Sequence, residues 1–77
     1  MVFAGVLLKI DVARAKEILN EIKDIEEVKN AFLVFGRYDA VVMLEAKSIE
    51  DIGRVVIEKI AKIPGVRSTE TLIAATF

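Results

Sequence analysis

The pattern of apolar and polar positions divides the chain into four strand-length runs and two helical segments. The runs are rich in β-branched and aromatic residues and cover residues 2–10, 28–35, 39–47 and 66–77. In the second and third runs, apolar residues fill both odd and even positions, and Gly36 in the short polar stretch between them supplies the freedom for a tight turn. The pattern therefore predicts a β-hairpin that is covered on both faces.

The two remaining segments carry apolar residues at helical spacing. In residues 12–23, Ala15, Ile18, Leu19 and Ile22 recur at i, i+3, i+4 and i+7, and Asp11 precedes them as a predicted cap. The second helix is predicted to begin after Ser48, with Asp51 three residues on, and to end at Pro64-Gly65. Its predicted buried face consists of Ile49, Ile52, Gly53, Val56, Ile60 and Ile63.

The two halves of the chain repeat at an offset of 38 residues. Lys9, Ile22, Ile25 and Val28 recur as Lys47, Ile60, Ile63 and Val66, and Lys29 and Asn30 recur as Arg67 and Ser68. Each half reads as β-α-β, so the whole chain predicts the α+β, ferredoxin-like order βαββαβ. We expect one domain over residues 1–77, with a four-stranded antiparallel sheet and both helices on one face.

Strand alternation indicates that both faces of this sheet are apolar. The helix-covered face is predicted to carry Val6, Leu8, Ile10, Val28, Phe32, Val34, Val42, Leu44, Val66, Leu72 and Ala74. The open face is predicted to carry Phe3, Leu7, Ala31, Leu33, Phe35, Val41, Met43, Ile73 and Ala75. Because a soluble monomer rarely exposes so apolar a surface, we predict a face-to-face homodimer of the dimeric α/β-barrel type. Its predicted interface consists of Phe3, Leu7, Leu33, Phe35, Val41, Met43 and Ile73.

The amino-acid composition argues against several classes of function. The 77 residues include 11 basic and 12 acidic side chains, and this balance argues against direct binding of nucleic acid. The chain has no Cys and no His, so we expect no disulfide, no metal site and no cofactor, and oligomerisation remains as the means of stabilising so short a chain. The apolar start is too short to span a bilayer, which predicts a cytoplasmic protein without membrane contact. The absence of Gln and Cys beside abundant Ile, Val, Glu and Lys is typical of a thermophilic source.

Two polar positions are candidates for ligand binding. Thr69 and Thr71 are two apart on the fourth run and point the same way, near Arg67 at the end of the predicted open face. Their hydroxyls either bond across strands or bind a small polar ligand in a crevice between subunits. The turn Gly36-Arg37-Tyr38-Asp39 is either ordinary hairpin chemistry or a second part of such a site.

The order of these motifs resembles that of a known family. Gly36-Arg37-Tyr38-Asp39, Ile63-Pro64-Gly65-Val66 and Thr69-Glu70-Thr71-Leu72 are together similar to the effector (RAM) domain of the leucine-responsive/asparagine (Lrp/AsnC) transcription regulators. The resemblance implies the βαββαβ fold, sheet-face dimers, rings of dimers, and amino-acid effectors bound between dimers. It also implies an effector site formed by the turn Gly36, Arg37, Tyr38 and Asp39 with Thr69 and Thr71. Chemically, Asp39 would bind an α-ammonium, and the turn N–H groups and hydroxyls would bind an α-carboxylate.

Typical members of this family carry an N-terminal helix-turn-helix domain, whereas this chain starts at the first strand of the effector domain. It therefore resembles the stand-alone RAM modules, which would act through assembly with themselves or with full-length regulators. A ligand-free assembly module is one alternative. A small dimeric α/β-barrel enzyme is another, but the predicted open face offers no His and no Cys for catalysis, so we expect no enzyme.

Overall fold

The computed structural model describes residues 1–75 and confirms the predicted order of elements. The strands are β1 (Val2–Ile10), β2 (Val28–Leu33), β3 (Ala40–Ala46) and β4 (Val66–Ile73), and the helices are α1 (Ala15–Lys23) and α2 (Ile49–Val55). All neighbouring strands are antiparallel, in the order β2-β3-β1-β4, which is the ferredoxin-like topology. The last two positions of the predicted fourth strand, Thr76 and Phe77, lie outside the described residues.

Both helices have irregular turns at one end. A 3-10 turn (Val12–Arg14) precedes α1, where the Asp11 carboxylate accepts a hydrogen bond from the Ala13 N–H at 3.1 Å. The Ser48 hydroxyl caps α2 by accepting from the Asp51 N–H at 3.1 Å, as predicted. After α2 the chain continues as a π-helical turn (Val56–Ile60), in which Val56 and Ile60 are buried.

The core lies between the helices and one face of the sheet. Its largest fully buried side chains are Val6, Leu8, Ile18, Ile22, Val42, Leu44, Ile52 and Ile60. The sheet residues among them were predicted on the helix-covered face. No helix among residues 1–75 is both long and apolar enough to cross a membrane.

Two β-bulges interrupt the strand pairing at equivalent places. Val28 pairs with Leu44 while Asn30 pairs with Met43, so Lys29 is an extra residue in β2. Ile10 pairs with Val66 while Lys9 pairs with Ser68, so Arg67 is an extra residue in β4. Each bulge reverses the side-chain alternation for the rest of its strand, because one added residue shifts a period of two.

The bulges make several predicted face assignments wrong. Ala31, Leu33 and Ile73 pair with the core residues Val42, Ala40 and Ala4, and so lie on the helix-covered side instead of the open face. Thr69 and Thr71 pair with Leu8 and Val6, so they too lie on the helix-covered side. Phe32 and Leu72 move to the open face in exchange, and Phe35 lies in the turn after β2.

The corrected open face is still apolar. Phe3, Leu7, Val41 and Met43 lie there as predicted, since their neighbours along β1 and β3 are buried on the other side. Its apolar members are Phe3, Leu7, Phe32, Val41, Met43 and Leu72. The prediction of two apolar faces therefore survives the change of register.

Candidate functional site

The turn between β2 and β3 forms the first part of the candidate site. The Val34 N–H donates to the Asp39 carbonyl at 2.9 Å and closes the turn. Gly36 has a φ of +135°, a conformation that side-chain-bearing residues rarely adopt, so glycine is required here. Arg37 beside it is exposed.

Asp39 fastens this turn to the end of β1. Its Oδ2 accepts from the Ile10 N–H at 3.0 Å, and its own N–H donates to the Leu8 carbonyl at 2.8 Å. Among residues 1–75, no group donates a hydrogen bond to the second oxygen, Oδ1. One oxygen of the half-buried carboxylate is thus used to hold the turn, and the other remains available to a cationic group.

Tyr38 extends the turn across the end of the sheet. Its hydroxyl donates a hydrogen bond to the carboxylate of Glu70, which lies on the open face of β4 opposite Leu7. That hydrogen bond raises the pKa of Tyr38 above its ordinary value, with smaller contributions from burial and from the Glu70 charge, while the charge of Arg37 acts in the opposite direction. The turn is therefore held at two points: Asp39 bonds to β1, and Tyr38 bonds to β4.

Thr69 and Thr71 belong to a different surface. They line a groove of about 360 Å³ between α2 and β4. The rest of its lining is Ile49, Ile52, Gly53, Val56, Ile57 and Ile73. Within this lining the two hydroxyls are the only polar side-chain groups, so the groove suits a mostly apolar occupant with one or two hydrogen-bonding atoms.

The structure does not bring the two predicted parts of the site together within one copy of the chain. Tyr38 reaches the open face of β4, whereas Thr69 and Thr71 project from the same strand to the opposite side. The bulge at Arg67 causes this separation, since it reverses the alternation of the residues that follow it.

Sequence reasoning missed two components. Glu70, the partner of Tyr38, lies inside the Thr-x-Thr motif but was not considered as a contact. Ile49 and Gly53, which were assigned to the buried face of the second helix, form with Ile57 an exposed ridge along the groove. Ile49, Gly53 and Ile57 recur every four residues, and this spacing in the sequence indicates that they share one face of the helix.

A second crevice, of about 400 Å³, lies at the opposite end of the sheet from the turn. Most of its charged side chains pair with one another, for example Lys59 with Glu27 at 3.2 Å and Arg54 with Asp51 at 2.9 Å. Such exposed pairs are ordinary surface electrostatics. Among residues 1–75, no group of three or more acidic side chains is arranged to hold a metal ion.

Known proteins resemble nearly the whole length of the chain. A family model described as the Lrp/AsnC ligand-binding domain matches residues 1–76. An uncharacterised helix-turn-helix-type transcriptional regulator from Pyrococcus horikoshii is 31% identical over 72 residues, which are 94% of this chain and 46% of the relative. The chain thus spans about half the length of this regulator.

Solved structures show the same fold. A protein from Thermus thermophilus superposes with a TM-score of 0.94 and 31% identity, covering 100% of this chain and 96% of that one. A transcriptional regulator from Neisseria meningitidis, solved as a complex with L-Met, superposes with a TM-score of 0.88 at 13% identity, covering 97% of this chain and 50% of that one. The latter likeness is one of fold alone.

Proposed function

The chain belongs to the Lrp/AsnC ligand-binding-domain family, and from this premise we propose that it binds an amino acid or a related small metabolite as a regulatory effector. The observation that carries the proposal is the arrangement of Asp39. Its Oδ2 is held by the Ile10 N–H while Oδ1 is left for an α-ammonium group.

The same turn also offers donors for the other end of an amino acid. Within residues 1–75, the backbone N–H groups of Gly36, Arg37 and Tyr38 donate to no carbonyl or side chain. Neighbouring N–H groups of a turn bind anions such as a carboxylate. A cation-binding oxygen and anion-binding donors in one turn match the charges of an amino-acid backbone. The L-Met complex of a regulator with this fold supports the same ligand class.

We assign the domain a regulatory and not an enzymatic role, in the cytoplasm where transcription regulators act. The family description and the naming of its relatives as transcriptional regulators support this assignment. On this view the bound effector changes how the domain assembles, with itself or with full-length regulators.

Assembly is expected to begin at the open face of the sheet. Phe3, Phe32, Met43 and Leu72 are each at least 40% exposed there. Burying four such side chains between two copies would contribute about 6–12 kcal/mol before the cost of association. A second copy that presents the same face is the simplest partner with matching chemistry.

The test of the effector proposal is native mass spectrometry and titration calorimetry with the twenty amino acids on wild type and on Asp39→Asn. Asparagine keeps an oxygen for the Ile10 N–H but removes the charge, so the variant should fold and bind at least about tenfold more weakly. Asp24→Asn, on an exposed aspartate after α1, is the matched control and should bind like wild type.

Failure of the wild type to bind any amino acid would contradict the proposal, as would unchanged binding by Asp39→Asn. Assembly without any bound mass would instead favour a ligand-free assembly module.

A further inference from the structure

The tip of the β2–β3 turn is attached to the sheet by a single hydrogen bond. Within residues 1–75, the segment 35–38 makes only the bond from the Tyr38 hydroxyl to the Glu70 carboxylate. Phe35, Gly36 and Arg37 are all exposed. Glycine also restricts the backbone less than any other residue, so Gly36 does little to order the segment. The position of these residues therefore depends on the contact between Tyr38 and Glu70.

Asp39, the next residue, is held by other contacts. Its N–H donates to the Leu8 carbonyl at 2.8 Å, and its Oδ2 accepts from the Ile10 N–H at 3.0 Å. Both partners belong to β1, and neither involves Tyr38. The two halves of the proposed effector site are thus fixed separately. Contacts with β1 place the carboxylate of Asp39, and the contact with Glu70 places the N–H groups of residues 36–38.

Glu70 is a charged residue at a position where the repeat favours an apolar one. By the 38-residue offset it corresponds to Phe32, which also lies on the open face of the sheet. Its own neighbours on that face are the apolar Leu7 and Leu72. Among the described residues Glu70 takes part in no ion pair, and Tyr38 is its hydrogen-bond partner. The contact that distinguishes Glu70 from Phe32 is therefore the one with Tyr38.

The β-bulge in β4 makes this contact possible. Arg67 is the extra residue in the pairing of β4 with β1, and Glu70 lies three positions after it. Without the added residue, the alternation of side chains would place position 70 on the helix-covered side. The bulge thus turns the carboxylate of Glu70 towards the face that Tyr38 reaches.

We propose that Glu70 is a positioning residue of the effector site, which acts through the Tyr38 hydroxyl on the turn N–H groups that bind the effector's carboxylate. This inference rests on the proposed function. Glu70 does not touch the effector. Its hydrogen bond with Tyr38 is charge-assisted and orders the segment before binding, so the effector does not bear the entropic cost of ordering it.

The separate attachment of Asp39 gives the inference a specific consequence. Loss of the contact between Tyr38 and Glu70 should loosen the N–H groups that bind a carboxylate and leave the oxygen that binds an ammonium in place. Binding of an amino acid should therefore suffer more than binding of its amide, in which a neutral carboxamide replaces the carboxylate. A general loss of structure would weaken the binding of both ligands alike.

The binding test is titration calorimetry with the twenty amino acids and their amides. Tyr38→Phe and Glu70→Ala should each bind amino acids at least about fivefold more weakly than wild type, with a smaller loss for the amides. The double variant should bind no more weakly than either single variant, because both remove one contact. Glu70→Gln keeps an acceptor oxygen for the Tyr38 hydroxyl and should restore binding to within about twofold of wild type. Glu58→Ala, at an exposed glutamate after α2, is the matched control and should bind like wild type.

Backbone ¹⁵N relaxation measures the positioning directly, without any ligand. In wild type the amides of residues 36–38 should be rigid, with order parameters of about 0.85. In Tyr38→Phe and Glu70→Ala these values should fall towards about 0.6, whereas the amide of Asp39 should stay rigid in all proteins.

Several results would overturn the inference. They are variants that bind amino acids like wild type, equal losses for amino acids and amides, a Glu70→Gln protein that binds no better than Glu70→Ala, and unchanged order in residues 36–38. A wild type that binds no amino acid would overturn the effector proposal and this inference together. A wild type that binds, with unaffected Tyr38 and Glu70 variants, would overturn this inference alone, so the two failures are distinguishable.

Discussion

Tyr38 and Asp39 hold one turn at two points of the sheet. Asp39 uses an oxygen on the Ile10 N–H, and Tyr38 donates its hydroxyl to Glu70 on the far edge strand. Both contacts span large sequence separations, so they fix the turn relative to the whole sheet. A ligand that binds Asp39 therefore meets a turn whose position is already set, which lowers the entropic cost of binding.

The pKa of Tyr38 gives a direct measure of its contact with Glu70. The chain has one Tyr and no Trp, so the ultraviolet absorbance of the phenolate reports this residue alone. In wild type we expect the titration midpoint above the ordinary 10.0, and in Glu70→Ala a midpoint closer to that value. Equal midpoints in the two proteins would show that the hydrogen bond is absent in solution.

The sign of the linked stability follows from the same shift. Because the folded-state pKa of Tyr38 is raised, its contribution to stability is complete below the unfolded pKa of about 10 and is lost as the pH rises through the folded value. Denaturation of wild type at alkaline pH should show this loss, and Tyr38→Phe should not.

At the scale of secondary-structure elements, the two halves of the chain share the same irregularity, a β-bulge near the start of a strand. The extra residues Lys29 and Arg67 are related by the 38-residue offset, and each lies one position after the start of its strand. Bulges increase local twist and re-aim the side chains that follow. The second bulge directs Thr69 and Thr71 into the groove and Glu70 towards Tyr38.

The cap of α2 is expected to matter for stability because the regular part of this helix is only seven residues long. Ser48→Ala removes the acceptor for the Asp51 N–H and should lower the free energy of unfolding by about 1 kcal/mol. In a domain of this size that corresponds to a melting temperature lower by about 4–8 °C.

Thermal denaturation at one fixed protein concentration measures this effect. Ser48→Asp keeps an oxygen acceptor at the cap and should remain close to wild type. A melting temperature for Ser48→Ala that matches both other proteins would show that the cap contributes nothing.

At the scale of the whole molecule, one set of helices covers one face of the sheet and leaves the other face apolar. We expect Met43→Asp, near the centre of that open face, to produce a monomer, because association would bury an unpaired carboxylate. The dissociation constant of the proposed dimer should rise at least about 100-fold, as measured by sedimentation equilibrium.

Val12→Asp introduces the same charge at an exposed apolar position of the 3-10 turn and should leave the proposed dimer intact. If Met43→Asp sediments like wild type, the open face is not the interface between copies.

The sequence by itself determined the βαββαβ order, the first strand, the Ser48 cap and the apolar character of both sheet faces. These features depend on near neighbours along the chain, namely periodicity, capping residues and glycine in the turn, and a single sequence displays them. The family resemblance also followed from the sequence, because the order of three short motifs is visible in it.

Only the tertiary structure decided which side chains share a face and a site. A bulge is a one-residue shift whose cost depends on the partner strand, so alternation along β2 and β4 gave the wrong face for Leu33, Ile73, Thr69 and Thr71. The Tyr38–Glu70 contact likewise depends on tertiary structure, because the turn crosses the end of the sheet. The groove beside β4 depends on the placement of α2 over β3 and β1. Pairing between distant strands and the placement of a helix across them are properties of the packed molecule, and local pattern does not encode them.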